Sequence, residues 1–248
     1  GDGGTAVLWS ESFTDFRGQI NAKGGETGGN GGQVETSSHG NLQAFGSVSA
    51  SANKGRAGKW LLDPQDITIV NGDKDKDKVN TSTTDSTTLF TPSGVGSQVS
   101  NTSINNELNK GTSVTILTNS TVAGSQQSGN ITVNAAISKS RGGDASLTLK
   151  ADGNITVNQN ITSTQGKLNI TLQGAGSNTG RILLNNVTLN SNGGDITLGR
   201  MDGGDANALT VNVTNSTLTA SNNSGGGNIT ISAWNPNVNL SVKDYHGT

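Results

Sequence analysis

The residues of this sequence best suited to chemistry are asparagines in Asn-X-Ser/Thr sequons, whose side-chain amide nitrogen is a glycosylation acceptor. The chain has 31 Asn and 59 Ser or Thr among 248 residues, so chance predicts about seven sequons. It has thirteen, at Asn80, Asn101, Asn119, Asn130, Asn154, Asn160, Asn169, Asn186, Asn212, Asn215, Asn222, Asn228 and Asn239. Glycosylation of exposed asparagines is one explanation. The other is structural, since outward polar residues alternating with inward Ile produce Asn-Ile-Thr without any selection for modification.

Other reactive groups are sparse. His39 and His246 are the only histidines and lie far apart, which disfavours a Ser-His-carboxylate triad. The carboxylates are scattered along the chain, so a paired-carboxylate glycosidase would need a chance meeting in space. Trp9, Trp60 and Trp234 could stack on sugars, but packing is the commoner role. We therefore predict no catalytic or cofactor-binding residues and no enzymatic activity.

A possible metal loop is also disfavoured. The run at 73–78 alternates Asp and Lys, and its aspartate spacing is that of a calcium loop. Lysines occupy the intervening positions, however, and the twelfth position holds Thr84 in place of the bidentate Glu. Cysteine is absent, which excludes thiolate sites and disulfides. The sequence predicts a solvated loop here and no bound metal.

The composition leaves two interpretations of the fold. Hydrophobic residues make up 29% and aromatic residues 3%, too few for a thick shared core, so the chain is either disordered or a solenoid. Short β-branched runs such as Ile67-Thr68-Ile69-Val70 favour the solenoid. The balance of 16 basic and 18 acidic residues argues against nucleic-acid binding. No stretch approaches the roughly 20 apolar residues that span a bilayer, so the chain is not expected to be membrane-spanning.

Internal repeats specify the kind of solenoid. The segment Gly129-Asn130-Ile131-Thr132-Val133 recurs 24 residues later, and it returns at 227–231 with Ile231 in place of the valine. Alternate residues of a strand share a face, so Ile and Val point inward while Asn and Thr point outward. Strands of four to six residues joined by Gly, Asn and Ser at a period of 20–28 indicate an all-β parallel coil.

The chain is predicted to have three segments. Residues 1–70 form coils that continue from an N-terminal secretion region, because Gly1 opens within a repeat and the chain is expected to be an interior piece of a longer protein. Residues 71–112 form a polar excursion or linker with a short helix at 102–110, capped by Thr102 or Ser103 and ended by Gly111. Residues 113–248 form a repetitive β-helix.

Several motifs in residues 1–118 carry a family resemblance. They are Gly3-Gly4-Thr5-Ala6-Val7-Leu8-Trp9, Phe16-Arg17-Gly18-Gln19-Ile20, the glycine-rich run 28–32, Leu61-Leu62-Asp63-Pro64-Gln65-Asp66-Ile67-Thr68-Ile69, and the stretch from Ile104 to Val114. The chain resembles the high-molecular-weight adhesins and filamentous haemagglutinin, which are exoproteins of two-partner secretion systems. After residue 118 only the repeat style is similar.

The resemblance implies a right-handed parallel β-helix, exported through the periplasm by an outer-membrane two-partner-secretion transporter to the bacterial cell surface. It implies adhesion to host cells, with host-cell glycans or glycoproteins as partners. It also implies that a cytoplasmic N-glycosyltransferase adds hexoses to some of the thirteen sequons. The sequence thus predicts a rigid, glycosylated adhesin rod.

Two other function classes stay open at this point. A carbohydrate-active β-helix enzyme, a lyase or hydrolase, would show a charged cluster on one outer face. An ice-binding solenoid would need a regular Thr-X-Thr array, whereas Thr81-Ser82-Thr83 and Thr217-Leu218-Thr219 are isolated in the sequence.

Overall fold

A computed structural model describes residues 1–72, 79–84, 87–92, 96–118, 127–174, 180–199, 210–233 and 239–240. The described residues are mostly β-strand, with one short helix, and nearly all strand pairs are parallel. The chain visits three sheets in turn and returns to each after one circuit, which we call a rung. The fold is therefore all-β, and its strand order agrees with the predicted parallel β-helix. The right-handed winding stays a prediction.

The first sheet has eight parallel strands. In spatial order they are β1 (Thr5–Ser10), β4 (Gln33–Ser38), β7 (Lys59–Asp63), β12 (Ser113–Leu117), β15 (Ala145–Ala151), β18 (Leu168–Gly174), β21 (Ile196–Leu198) and β26 (Ile229–Ile231). Each neighbour in this sheet is the next strand of the same kind along the chain, so every rung contributes one strand.

The second sheet has nine parallel strands. In spatial order they are β2 (Phe13–Phe16), β5 (Asn41–Ala44), β11 (Ser97–Ser100), β8 (Ile67–Val70), β13 (Ile131–Val133), β16 (Ile155–Val157), β19 (Arg181–Asn185), β22 (Thr210–Thr214) and β27 (Asn239–Leu240). One strand is out of sequence order. β11 lies between β5 and β8, although β8 precedes it in the chain.

The remaining strands form smaller sheets. The third face of the coil has the parallel pair β3 (Gln19–Asn21) and β6 (Ser47–Ser49), and the parallel group β14 (Ile137–Lys139), β17 (Ile161–Ser163), β20 (Thr188–Asn190) and β23 (Thr217–Thr219). Two antiparallel hairpins pair β9 (Val79–Thr84) with β10 (Thr87–Pro92), and β24 (Ser221–Asn222) with β25 (Gly225–Gly226). The division into three segments stays a prediction. Within 71–112, the structure places β11 in the second sheet and the β9–β10 hairpin outside the three faces.

The core consists of aliphatic ladders, as the repeat predicts. Ile131 pairs with Ile155, and both are fully buried, as are the two valines that follow them in register. Ile229, which pairs with Ile196, is partly buried. Each fully buried Ile or Val is worth roughly 1.5–3 kcal/mol relative to an exposed one. Since rungs stack about 4.8 Å apart, the ladders give a continuous core from few apolar residues per rung.

The helix α1 (Asn101–Leu108) begins directly after β11, one residue before the predicted start, and ends two residues before the predicted end. Its N-cap is Ser100, whose hydroxyl accepts a hydrogen bond from the Thr102 amide at 3.1 Å. The prediction of Thr102 or Ser103 as the cap was wrong, because the Ser103 hydroxyl instead donates to the Gly46 carbonyl at 2.6 Å. Gly111 has φ of 74° at the helix exit, as predicted.

Helix α1 fills the place of a strand on the third face. It packs against β6 on one side and β14 on the other, so it separates the two-stranded sheet from the four-stranded sheet. Ile104 and Leu108, one turn apart, are fully buried against the core. A helix cannot offer its main-chain groups to a neighbouring strand, because they bond within the helix. The strand edges on both sides therefore need other partners.

Asparagines supply the partners on the β14 side. The side-chain Nδ2 of Asn101 donates to the Ala136 carbonyl at 2.8 Å, and Asn105 Oδ1 accepts from the backbone amide of Ser138 at 2.9 Å. One turn later, Asn109 Oδ1 accepts from the Ser140 amide at 2.8 Å. Four helical residues rise about 6 Å and two strand residues about 6.6 Å, so an i, i+4, i+8 row matches alternate residues of a strand edge.

Charged and hydroxyl groups bind the β6 edge. Glu107 Oε1 accepts from the Ala50 amide at 3.0 Å, and Lys110 Nζ donates to the Val48 carbonyl at 2.8 Å. Glu107 is fully buried, and Lys110 Nζ lies 3.6 Å from its Oε2. Burial raises the pKa of the Glu107 carboxyl above its ordinary value of 4.5, although the Ala50 amide and Lys110 act in the opposite direction. The helix thus joins two sheets through its side chains.

The asparagine row makes a testable prediction. Asn105→Ala leaves the Ser138 amide without its acceptor, so the free energy of unfolding should fall by about 1–2 kcal/mol. Asn106→Ala is the matched control, since Asn106 is exposed and both changes carry the same helix propensity; it should change stability by less than about 0.5 kcal/mol. Urea unfolding followed by circular dichroism measures both. Equal midpoints for the two variants would show that the row does not support the β14 edge.

The buried carboxylate predicts a pH dependence. Because the pKa of Glu107 is raised in the folded chain, its ionisation opposes folding, and the cost grows as pH rises through the folded pKa. Wild type and Glu107→Gln should be similar in stability below pH 4.5, and wild type should lose stability relative to the variant at higher pH. Urea midpoints of both proteins from pH 4 to 8 measure the difference. A wild type that gains on the variant with rising pH would contradict it.

Candidate functional site

The sequon asparagines whose side chains are described lie on the outside of the coil, mostly just before a strand or at a corner. In the segment 130–133, Ile131 and Val133 are fully buried, while Asn130 and Thr132 are partly exposed. The alternation follows from the strand geometry, which sends neighbouring side chains to opposite faces. This observation supports the structural explanation of the Asn-Ile-Thr pattern without excluding modification.

Several of these asparagines bind the next rung through their amide oxygen. Asn130 Oδ1 accepts from the Asn154 amide at 2.8 Å, and Asn154 Oδ1 accepts from the Arg181 amide at 2.9 Å. Asn160 Oδ1 accepts from the Thr188 amide at 2.8 Å. Each bond uses Oδ1, whereas an N-linked sugar is attached to Nδ2. These three side chains can therefore keep their structural bond and carry a sugar.

A second group is exposed and makes no side-chain hydrogen bond within the described residues. Asn186 and Asn215 occupy equivalent positions in adjacent rungs and have φ of 52° and 47°. This left-handed conformation suits a sharp corner, and Asn adopts it more readily than most residues. Asn228 is also exposed, and its backbone amide bonds to Asp195 Oδ1. These three asparagines are exposed and make no hydrogen bond at either end of the side-chain amide within the described residues.

In a third group the amide nitrogen is engaged. Asn101 belongs to the asparagine row of the helix. Its Nδ2 donates to the Ala136 carbonyl, while its Oδ1 accepts from the backbone amide of Gly72. Asn222 Nδ2 donates to the Asn192 carbonyl at 2.8 Å. Asn169 Nδ2 makes a long contact of 3.4 Å to the Ser146 hydroxyl. A sugar on Asn101 or Asn222 would displace a bond that the fold uses.

The other sequons complete the survey. Asn212 Oδ1 accepts from Thr214 at 3.3 Å, which is the hydroxyl of its own sequon. Asn80 and Asn239 lie in β9 and β27, and only their backbones are described. Asn119 lies outside the described residues, as do His246, Trp234 and the charged run at 73–78.

The tryptophan and histidine candidates for sugar binding or catalysis separate into a buried group and an exposed group. Trp60 is fully buried and its indole N–H donates to Thr36, so it has the packing role expected of it. Trp9 is 51% exposed, and its ring meets His39 edge-on with centroids 5.0 Å apart. His39 Nδ1 lies 3.2 Å from a carboxylate oxygen of Glu11. The described residues hold no group of three or more His, Cys, Asp or Glu side chains that could bind a metal ion.

Two carboxylates share one outer face. Glu35 on β4 and Asp63 on β7 both point outward from the first sheet, and their strands are paired. Partial burial raises the pKa of Asp63, and the charge of Glu35 raises it further. Scattered in sequence, these residues meet only because rungs stack. The Glu35 oxygen also accepts a hydrogen bond from Ser37 at 2.9 Å.

The structure also shows a threonine ladder that the sequence did not reveal. Thr115, Thr148, Thr171, Thr197 and Thr230 are paired in consecutive rungs and point outward from the first sheet. The columns beside them hold other residue types, so they form a single column. The two-column array expected of an ice-binding face is not found in the part of the first sheet that is described.

Comparison with protein-family models gives no match, and no curated protein matches the chain. The only helix of the described residues, α1, has eight residues and is too short to span a bilayer.

The three groups of sequons predict a site-specific pattern of modification. When an N-glycosyltransferase acts on the folded chain, Asn186, Asn215 and Asn228 should be modified first, and Asn101 and Asn222 should stay unmodified. The physical reason is the engagement of Nδ2 in the last two. Peptide mapping by mass spectrometry measures the occupancy of each site, with urea-unfolded chain as the control in which Asn101 becomes accessible. Equal occupancy of all five sites in the folded chain would contradict this sorting.

Proposed function

We propose that this chain is a segment of a secreted bacterial surface adhesin that attaches to host cells, of the kind exported by two-partner secretion. The observation that carries the proposal is the coil itself, a stack of parallel strands with aliphatic ladders inside and Asn, Thr and Ser outside. Such a coil grows in length without a thick core, and its repeated outer faces give an extended surface for attachment.

The positions of the family-like motifs support the proposal. Two of them form strands of the first sheet, since residues 5–9 lie in β1 and Leu61, Leu62 and Asp63 lie in β7. Leu62 is fully buried, so the Leu-Leu-Asp-Pro motif places one leucine in the core and an acid at the strand end. The stretch from Ile104 to Val114 forms the end of α1 and the start of β12. The motifs thus occupy the places on which stacking depends.

The absence of cysteine fits export in an unfolded state. A chain that passes through an outer-membrane transporter must fold afterwards, and this sequence would do so without a disulfide-forming step. Rungs that stack on their neighbours allow folding to spread along the coil from any formed rung.

We further propose that the rod is an acceptor for a cytoplasmic N-glycosyltransferase. Seven sequons leave their amide nitrogen free of hydrogen bonds within the described residues, so a sugar added there before export would be compatible with the folded coil. They are Asn130, Asn154, Asn160, Asn186, Asn212, Asn215 and Asn228.

One observation favours a second candidate, a carbohydrate-active β-helix enzyme. Glu35 and Asp63 form an acidic pair on an outer face, and the raised pKa of Asp63 is a property of many catalytic acids. Release of reducing ends from a panel of polysaccharides, lost in Asp63→Asn, would support this candidate over the adhesin. The adhesin hypothesis expects no release.

Attachment to cells tests the proposed function. The purified chain should bind cultured epithelial cells saturably, and binding should fall when glycosidases remove the cell-surface glycans. A chain unfolded by heat is the control, because attachment depends on the stacked outer faces. Absence of binding to untreated cells by the folded chain would overturn the adhesive role and leave the coil as a spacer.

A further inference from the structure

The charged side chains of this coil are balanced in number but separated in space. The described residues include eleven basic and eleven acidic side chains. Many of the basic ones lie where the chain leaves the third face and enters the first sheet. In four consecutive rungs this turn comprises residues 54–59, 109–112, 140–144 and 164–167, which we call the basic corner. It holds six basic residues and one acidic residue, which are Lys54, Arg56, Lys59, Lys110, Arg141, Lys167 and Asp144.

The corner between the first and second sheets has the opposite charge. In the same part of the coil its described residues are 63–66, 118, 127–130 and 151–154. They include Asp63, Asp66 and Asp152 and no lysine or arginine. The coil therefore has a basic edge and an acidic edge, although its net charge is near zero. Such an arrangement gives a positive potential along one edge only.

Stacking of the turns brings the basic side chains into a row. The backbone amide of Arg141 donates to Asn109 Oδ1 at 3.2 Å, and the backbone amide of Lys167 donates to Asp144 Oδ1 at 2.8 Å. A Cβ atom on Gly142 would lie 2.2 Å from the Asn109 carbonyl oxygen, so glycine lets these turns stack directly. Four rungs about 4.8 Å apart extend the row over about 14 Å.

Most cations of the row are available to a ligand. Arg56, Arg141 and Lys167 are exposed and form no ion pair with any of the described residues. Lys110 is different, because its Nζ is bonded to the Val48 carbonyl. Like charges in a row repel one another, so a polyanion that lies along the edge relieves the repulsion and is attracted by several cations at once.

The other side chains of the basic corner restrict the kind of partner. They are small or polar, none is aromatic, and Ala57 is the one apolar residue among them. Single-stranded nucleic acids are normally held by aromatic residues on which the bases stack. Membrane-binding surfaces normally place large apolar side chains beside their cations. A straight and narrow row of cations without either feature suits a linear chain that carries negative charges at intervals.

We infer that the basic corner binds the sulfated polysaccharide chains of host-cell surfaces. The inference deepens the proposed adhesive function and rests on it, because it names the class of glycan and the edge of the coil that binds it. Arg56 and Arg141 can each donate two hydrogen bonds to one sulfate group, and the lysines act as point charges between them. A terminal sialic acid carries a single carboxylate and would meet only part of the row.

Binding of heparin to the 248-residue chain tests the inference. Dextran is the neutral polysaccharide control, and a single-stranded DNA oligonucleotide is a polyanion of another class. Isothermal calorimetry should show that heparin binds, that dextran does not, and that the DNA binds more weakly than heparin. Raising the salt concentration from about 0.05 M to about 0.5 M should weaken heparin binding, because salt shortens the range over which exposed charges attract.

A triple variant of the basic corner locates the binding surface. Arg56→Gln, Arg141→Gln and Lys167→Gln together remove three positive charges, and heparin affinity should fall about tenfold or more.

The matched control removes the same charge elsewhere. It combines Arg17→Gln, Lys150→Gln and Arg181→Gln, which are again two arginines and one lysine and lie outside the corner. Its heparin affinity should stay within about threefold of wild type. Circular dichroism establishes that both variants are folded, which is expected because none of the six side chains is buried.

Several results would overturn the inference. They are no heparin binding by wild type at low salt, wild-type affinity in the corner variant, or equal losses in the two triple variants. The last result would show that net charge alone attracts heparin. Tighter binding of the DNA than of heparin would assign the corner to nucleic acids instead.

Cell attachment separates this inference from the proposed function. If the corner variant loses heparin binding but still attaches to cells through glycans, the adhesin role stands and the relevant surface lies elsewhere. If wild type binds heparin through the corner but does not attach to cells, the binding surface stands and the adhesive role falls.

Discussion

Every rung of this protein depends on the pairing of its backbone with the rungs above and below. A buried strand edge that lacks hydrogen-bond partners is costly, so a stack of parallel strands tolerates no gap. On the third face a gap would exist, because α1 occupies one strand position between β6 and β14. The side chains of the helix fill it with amide, hydroxyl, carboxylate and ammonium groups. The need to pair backbone groups also explains why the asparagines before the strands, such as Asn130 and Asn154, accept hydrogen bonds from backbone amides of the next rung.

The outer asparagines combine two properties in one group. Their oxygen binds the backbone of the next rung, while their nitrogen remains available in many cases. A coil with this division of the amide could be modified without losing the bonds that align its rungs. The division also separates the sequons by location, since Asn101 in the helix row and Asn222, which bonds to Asn192 and Ser224, use both ends of the amide.

The repeated Asn-Ile-Thr-Val segments were sufficient to predict buried Ile131 and Ile155 and partly exposed Asn130 and Asn154, because alternation along a strand is local. The period of the repeats predicted the parallel pairing of the strands. The order of strands was not predictable in the same way. β11 is short, and nothing in Ser97–Ser100 distinguishes a strand that pairs with β5 from one that follows β8 in order. The Glu35–Asp63 pair and the threonine ladder depend on the register between rungs, which varies with each corner insertion. The exposure of Trp9 likewise depends on which rung it occupies.

The inversion of β8 and β11 has a consequence for the order of events in folding. A chain that emerges from its N-terminal end presents β8 first, and the top of β5 is then an unpaired parallel edge. Pairing of β8 directly with β5 would be a misfolded intermediate. β11 would then have no strand position between β5 and β8, and the later strands of the second sheet would be displaced by one rung relative to the first sheet. Correct pairing then requires β8 to dissociate from β5. The segment from β8 to α1 should therefore fold as one cooperative unit, and more slowly than the rungs on either side of it.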